Sequence, residues 1–287
     1  MKIHSNCRMS VNGKKLLSTA AETGAVRGLG LSNTPTWAFG VLLFVFLMAV
    51  SVARPCPAAE PLNLLILGDS LSAAYGLHVD DGWVALLGQR LREQQDRALG
   101  AAPAVVITNA SISGETTAGG LERLPDLLAE HQPNAVMIAL GANDGLRGFP
   151  LQDIEDRLVR LVETARAADA EVLLLGVRLP PNYGAAYSEG FQRLFAAVAE
   201  RTGVALVPRM LEGVSERWDL MQSDGLHPTA AAQPLILDHL WPSVQALLGA
   251  ASGESAIGLP RHFKSTALAD PQAGSSRYEG ISHAPWN

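Results

Sequence analysis

Cysteine is nearly absent from this 287-residue chain: Cys7 and Cys56 are the two, and both precede the segment that reads as folded. That excludes a disulfide framework and a cysteine-built metal site inside the domain. Seven histidines occur, but no two stand at ligand spacing, so no metal is expected. Basic charge is scarce and scattered: 22 Lys and Arg against 28 Asp and Glu give a net charge of −6. Without a basic stripe, nucleic acid is not expected as a partner. Aromatic residues make up 6% of the chain, which gives no support to a cleft lined for sugars. No internal repeat is present.

One long apolar run does occur. Across residues 1–36, Lys2, Arg8, Lys14, Lys15 and Arg27 stand against Glu22 alone, and residues 37–53 are then uncharged and contain VLLFVFLMAV. A basic leader before an apolar core suits an export signal, with Ser51, Val52 and Ala53 as small residues at the cleavage positions. The run is short for a spanning helix, so an uncleaved inner-membrane anchor over 37–53 is the alternative. Met9 offers a second start site. Both readings place the chain beyond Ala53 outside the cytoplasm, periplasmic or secreted. Cys56, after Ala-Arg-Pro, is in a poor context for lipid attachment. From Gly249 onward the chain is rich in Gly, Ser, Ala and Pro without apolar periodicity, and reads as a disordered tail. The expected division is a leader over 1–61, a folded domain over 62–249 and a tail over 250–287.

Within the domain, short apolar runs alternate with helical periodicities. LNLLIL (62–67), AVVITNA (104–110), AVMIAL (135–140), EVLLLGV (171–177) and the weaker VALV (204–207) read as strands buried on both faces. Between them, Val84, Leu87 and Leu91 share a helix face, as do Leu151, Ile154, Leu158, Leu161 and Ala165. Phe191, Leu194, Phe195 and Val198 form a third stripe, and Leu235, Ile236, Leu240, Val244 and Leu247 a fourth. All four are read as core. Pro125 is expected to split the segment after Gly120 into two short helices. The alternation predicts an α/β domain: a three-layer, doubly wound, flavodoxin-like sheet of about five parallel strands. Such sheets bind ligands beyond the carboxyl ends of their strands.

The segments at the strand ends are chemically specific. After the first strand comes Gly68-Asp69-Ser70-Leu71-Ser72; after the second, NASISGETT with Gly114; after the third, GANDGLRG with Asn143 and Asp144; before the last helix, SDGLHP with Asp224 and His227. Asp and Ser after a strand serve equally well as a cap for the next helix, and alone these residues would be read that way. Together they supply more. A serine hydroxyl is a poor nucleophile until a base takes its proton, and imidazole is the base suited to neutral pH. Asp224, three residues ahead of His227, can fix the imidazole tautomer. The backbone N–H groups of Ser70 and Gly114 and the amide of Asn143 can face a developing oxyanion. The α/β-hydrolase elbow G-x-S-x-G is excluded because Ser72 occupies its last glycine, and GDSLSA lacks the dinucleotide-binding G-x-G-x-x-G.

These blocks resemble, in motif and order, the SGNH hydrolases, or GDSL lipases/esterases. LGDSLSAAYG, NASISGETT…GLERLP, LGANDGLRGF, RLPPNYG and DGLHP together look like the periplasmic multifunctional acyl-CoA thioesterase/lysophospholipase/arylesterase subgroup. The resemblance covers about 62–249 and implies the SGNH fold, Ser70 as nucleophile, Gly114 and Asn143 as oxyanion donors, and Asp224 with His227 as the dyad. It implies a small acyl-ester or lipid substrate, with membrane-surface substrates among the options; the single-nucleophile mechanism needs no cofactor, and a monomer is the default expectation. Leu146, Leu179 and Tyr183 are candidates for an acyl groove, or ordinary packing. Two other functions stay open: a carbohydrate O-deacetylase of the same superfamily and a non-catalytic acyl-binding module.

Overall fold

A computed structural model of the chain describes residues 60–98 and 103–253. The expected export segment, and the tail beyond residue 253, lie outside the described residues. Five runs form strands: β1 Leu62–Gly68, β2 Val105–Asn109, β3 Ala135–Ala139, β4 Glu171–Leu175 and β5 Ala205–Val207. They pair in parallel in the order β2-β1-β3-β4-β5, the flavodoxin-like winding. The central strands carry unbroken apolar runs because helices cover both faces: Leu64 to Leu67 and Val136 to Ile138 are at most 1% exposed. β2 departs from that expectation. It is an edge strand, and Val106 is 51% exposed where its apolar sequence predicts burial.

The long helices are α1 Trp83–Arg97, α2 Thr117–His131, α4 Leu151–Ala167, α5 Ala185–Thr202 and α6 Gln233–Ala251, with a short α3 Ala142–Leu146. α1 packs on α6 on one face of the sheet, and α2, α4 and α5 pack in sequence on the other. Among the described helices none is long and apolar enough to cross a membrane. Two expectations need correction. α2 is one helix, with Pro125 inside it rather than between two. Pro125 lies on the exposed side, where water can take the carbonyl its missing N–H leaves free, while Leu124 and Leu128 hold both halves on the core. Leu235 is 42% exposed; at 100° per residue the stripe through Ile236, Leu240, Val244 and Leu247 turns it toward solvent.

The register brings the carboxyl ends of the first three strands within two residues of one another. Gly68 lies beside Ala139, and Ile66 beside Asn109. The loops after β1, β2 and β3 therefore open on one edge of the sheet.

Candidate active site

The turn after β1 is built by Asp69. Its carbonyl accepts from the N–H groups of Ser72 (3.1 Å) and Ala73 (3.0 Å), and its carboxylate Oδ1 accepts from Leu71 N–H (3.0 Å). With Asp69 turned inward, Ser70 sits half-buried at the strand end. Between β5 and α6 the chain closes a small hairpin, with Met221 and Pro228 bridged antiparallel. Asp224 Oδ1 accepts from the N–H groups of Leu226 (2.9 Å) and His227 (3.0 Å), which fixes its other oxygen 2.6 Å from His227 Nδ1. His227 Nε2 lies 2.9 Å from Ser70 Oγ, across 157 residues of sequence. With Nδ1–H donating to Asp224, the Nε2 lone pair is left to accept the Ser70 hydroxyl proton. Burial works to raise the pKa of Asp224, but the bonds from the His227 ring and from the two backbone N–H groups outweigh it and hold the carboxyl at about 2. It is ionised wherever the imidazole can serve as a base.

Gly114 and Asn143 arrive from the next two strand ends. Gly114 has φ +82°, a conformation that suits glycine, and a Cβ there would meet open space. Among the described residues, neither the Gly114 N–H nor the Ser70 N–H is taken by an acceptor. Asn143 follows Gly141, whose φ of +113° starts α3. Its amide donates to Glu115 carbonyl at 2.9 Å and, over a longer 3.3 Å, to Asp69 Oδ2. An amide has two hydrogens, so the weaker contact to Asp69 is the one an oxyanion could draw away.

Several supports leave no recognisable signal in the sequence. Asp144, fully buried, accepts from Thr117 N–H (2.8 Å) and from the Thr117 hydroxyl (2.6 Å), and lies 3.6 Å from Arg157. This ties the Gly114 loop to the Asn143 helix. Arg147 donates to Gly114 carbonyl at 3.2 Å. Asp69 reads from sequence as a turn residue, yet it is 1% exposed. Burial, partly opposed by the Leu71 N–H, pushes its pKa up to about 6. The native state therefore keeps a proton that the unfolded chain releases near pH 4, and folding stability falls as pH rises from about 4 to 6. Asp69→Asn removes this titration. Relative to wild type, its unfolding free energy should improve by roughly 2 kcal/mol between pH 4 and 8, nearly all below pH 7. Urea unfolding at stepped pH checks this; a difference between the two proteins that does not change with pH contradicts it.

Leu146, Leu179 and Tyr183, the three groove candidates, line one open groove of about 520 Å³ that reaches Asp224. Leu179 is also core, at 5% exposed, and Tyr183 packs with its hydroxyl donating to Leu146 carbonyl at 2.8 Å. Trp218, 77% exposed, forms a wall of the same groove and lies against Gly225. No motif points to it, because a single exposed indole leaves no periodic signal.

Comparison with known proteins shows the family. Residues 66–234 match the GDSL-like Lipase/Acylhydrolase family. The chain is 52% identical over 186 residues to "Esterase TesA" of Pseudomonas aeruginosa, covering 65% of this chain and 89% of that one. It is 41% identical over 203 residues to "Thioesterase 1/protease 1/lysophospholipase L1" of Escherichia coli K12, covering 71% and 92%. A crystal structure of TesA superposes with a TM-score of 0.61 at 50% identity, over 64% of this chain and 99% of that one. The matched span holds the β1 turn, the Gly114 loop, the Asn143 helix and the His227 hairpin, and the chain belongs to the GDSL/SGNH lipase-acylhydrolase family of ester-bond hydrolases.

Proposed function

We propose that this chain is an exported serine esterase/thioesterase that hydrolyses acyl esters through an acyl-enzyme on Ser70. The observation that carries the reading is the unbroken chain of contacts from Asp224 through His227 to Ser70, 2.6 and 2.9 Å long. His227 Nε2 takes the hydroxyl proton as Ser70 Oγ bonds to the acyl carbon. The carbonyl electron pair moves onto oxygen, which meets the free N–H groups of Ser70 and Gly114 and the Asn143 amide hydrogen now shared with Asp69. The intermediate collapses, the imidazolium returns its proton to the leaving alcohol or thiol, and water repeats the sequence on the acyl-enzyme to release the acid. The ionised Asp224 stabilises the imidazolium in both halves.

The substrate class rests on the groove. Leu146, Leu179, Pro180, Pro181, Met221 and Leu226 offer apolar surface for an acyl chain in a groove that Arg178, Asn182, Ser215 and Glu216 also line and that reaches Asp224. Lysophospholipids, acyl thioesters, and aryl or short alkyl esters are the proposed set, and the names of the two relatives include esterase, thioesterase and lysophospholipase beside a protease. Export rests on the basic leader and the apolar 37–53 segment, with residues 60–253 free of cysteine.

p-Nitrophenyl acetate, butyrate, octanoate and palmitate, with one acyl-CoA, form the test. Turnover of esters longer than acetate, together with the thioester, is expected. Activity confined to acetyl groups would favour an O-deacetylase, and no turnover at all would leave an acyl-binding module.

A further inference from the structure

Ser70 and His227 come from loops with no shared secondary structure, so something must set the distance between them. Lower in the fold, the Trp83 N–H donates to Gln233 Oε1 at 3.0 Å and joins the helices that come after the two loops. The loops themselves meet at Gln222. Its backbone N–H donates to His227 carbonyl at 2.7 Å, closing the hairpin that carries the base. Its side-chain amide uses both hydrogens: Nε2 donates to Pro228 carbonyl at 3.0 Å and, across 147 residues, to Tyr75 carbonyl at 2.9 Å.

Tyr75 belongs to the nucleophile loop. Its N–H donates to Ser70 carbonyl at 3.3 Å, just after the chain reverses at Ala74 with φ 57°, an uncommon conformation for alanine. Its ring lies over the His227 ring with centroids 4.4 Å apart, tilted by 39°. Gly76 completes the contact: at φ +73° it lies so close to Gln222 Oε1 that a Cβ would collide. One side chain therefore holds the base hairpin to the nucleophile turn, and it holds the segment whose ring covers one face of the imidazole.

We infer that Gln222 is a positioning residue for the ester-hydrolysing site: its amide ties the His227 hairpin to the Ser70 loop at Tyr75 and so sets the Oγ–Nε2 approach. The inference rests on the proposed nucleophile and base. The contact to Tyr75 carbonyl is exposed, so water can replace the amide there, while Pro228 is buried; losing the side chain therefore costs the fold about one part-buried hydrogen bond. It costs the approach more, because a misplacement of about 1 Å at a reacting pair lowers rates by up to about 100-fold.

Gln222→Leu keeps the bulk and removes both donors. Its kcat for p-nitrophenyl butyrate should fall about 10- to 100-fold. KM should stay near wild type, the melting temperature should fall by no more than a few degrees, and phosphylation of Ser70 by diethyl p-nitrophenyl phosphate should slow by a factor similar to that for kcat. Gln222→Asn, whose shorter amide cannot span both carbonyls, should lose kcat to a smaller degree, and it carries the test if the leucine variant does not fold. An unchanged kcat, an effect confined to KM, or a loss matched by the unfolded fraction overturns the inference. Wild-type enzyme that takes no phosphoryl group on Ser70 overturns the underlying reading instead, so the two failures are distinct.

Discussion

Ser70→Ala should lower kcat/KM for ester hydrolysis by about 10⁴- to 10⁶-fold while the protein unfolds at the same temperature as wild type. Among the described residues the hydroxyl has one side-chain partner, His227 Nε2 at 2.9 Å, and the turn that presents it is built by the backbone and carboxylate of Asp69. Alanine therefore removes the nucleophile and leaves the turn, the groove and the free N–H groups in place. The residual rate is catalysis by oxyanion binding and positioning of an outside water. Rates for the purified variant against p-nitrophenyl butyrate, with melting curves for both proteins, check the expectation. Retention of a tenth of the activity would remove Ser70 from the mechanism.

His227→Ala should be nearly as severe, and the double variant with Ser70→Ala should be no worse than the worse single one. In a serine–histidine pair acting as a unit, either deletion costs up to about 10⁶-fold and the effects do not add. The geometry requires this coupling, since Asp224 reaches Ser70 only through the imidazole, at 2.6 Å on one side and 2.9 Å on the other. The variant keeps its hairpin, because the Gln222 N–H bonds the residue 227 carbonyl and the Asp224 carboxylate still caps the N–H groups of residues 226 and 227. Single and double variants compared on one ester decide it. Multiplying losses would mean that the two residues act in separate steps.

How much of this is legible in the sequence depends on whether a feature repeats along the chain. Strands buried on both faces carry continuous apolar runs, so β1, β3 and β4 stand out, and their alternation with helical stripes implies the winding. β2 has the same composition as a central strand, and only its place at the sheet edge exposes Val106. Pro125 is disruptive by local rules, yet core contacts through Leu124 and Leu128 carry one helix across it. The site blocks are legible because each comes after a strand or before a helix, and a doubly wound sheet gathers those positions at one edge. The ties between the blocks are not. Thr117 with Asp144, and Gln222 with the Tyr75 carbonyl, are hydrogen bonds between residues far apart in the chain; Thr and Asp serve equally well in caps and turns, and a lone Gln facing a backbone carbonyl leaves no pattern at all. Asp69 shows the same limit: its burial, and with it the raised pKa, belongs to the packed loops and not to the GDS motif.

The most direct measurement is the site of covalent attack. A p-nitrophenyl alkylphosphonate, whose tetrahedral phosphorus accepts an activated serine and expels nitrophenolate, should transfer one phosphonyl group per wild-type chain. Mass spectrometry of the digested protein should place it on Ser70, and Ser70→Ala should take up none. An adduct on another residue, or equal labelling of the alanine variant, would contradict the account.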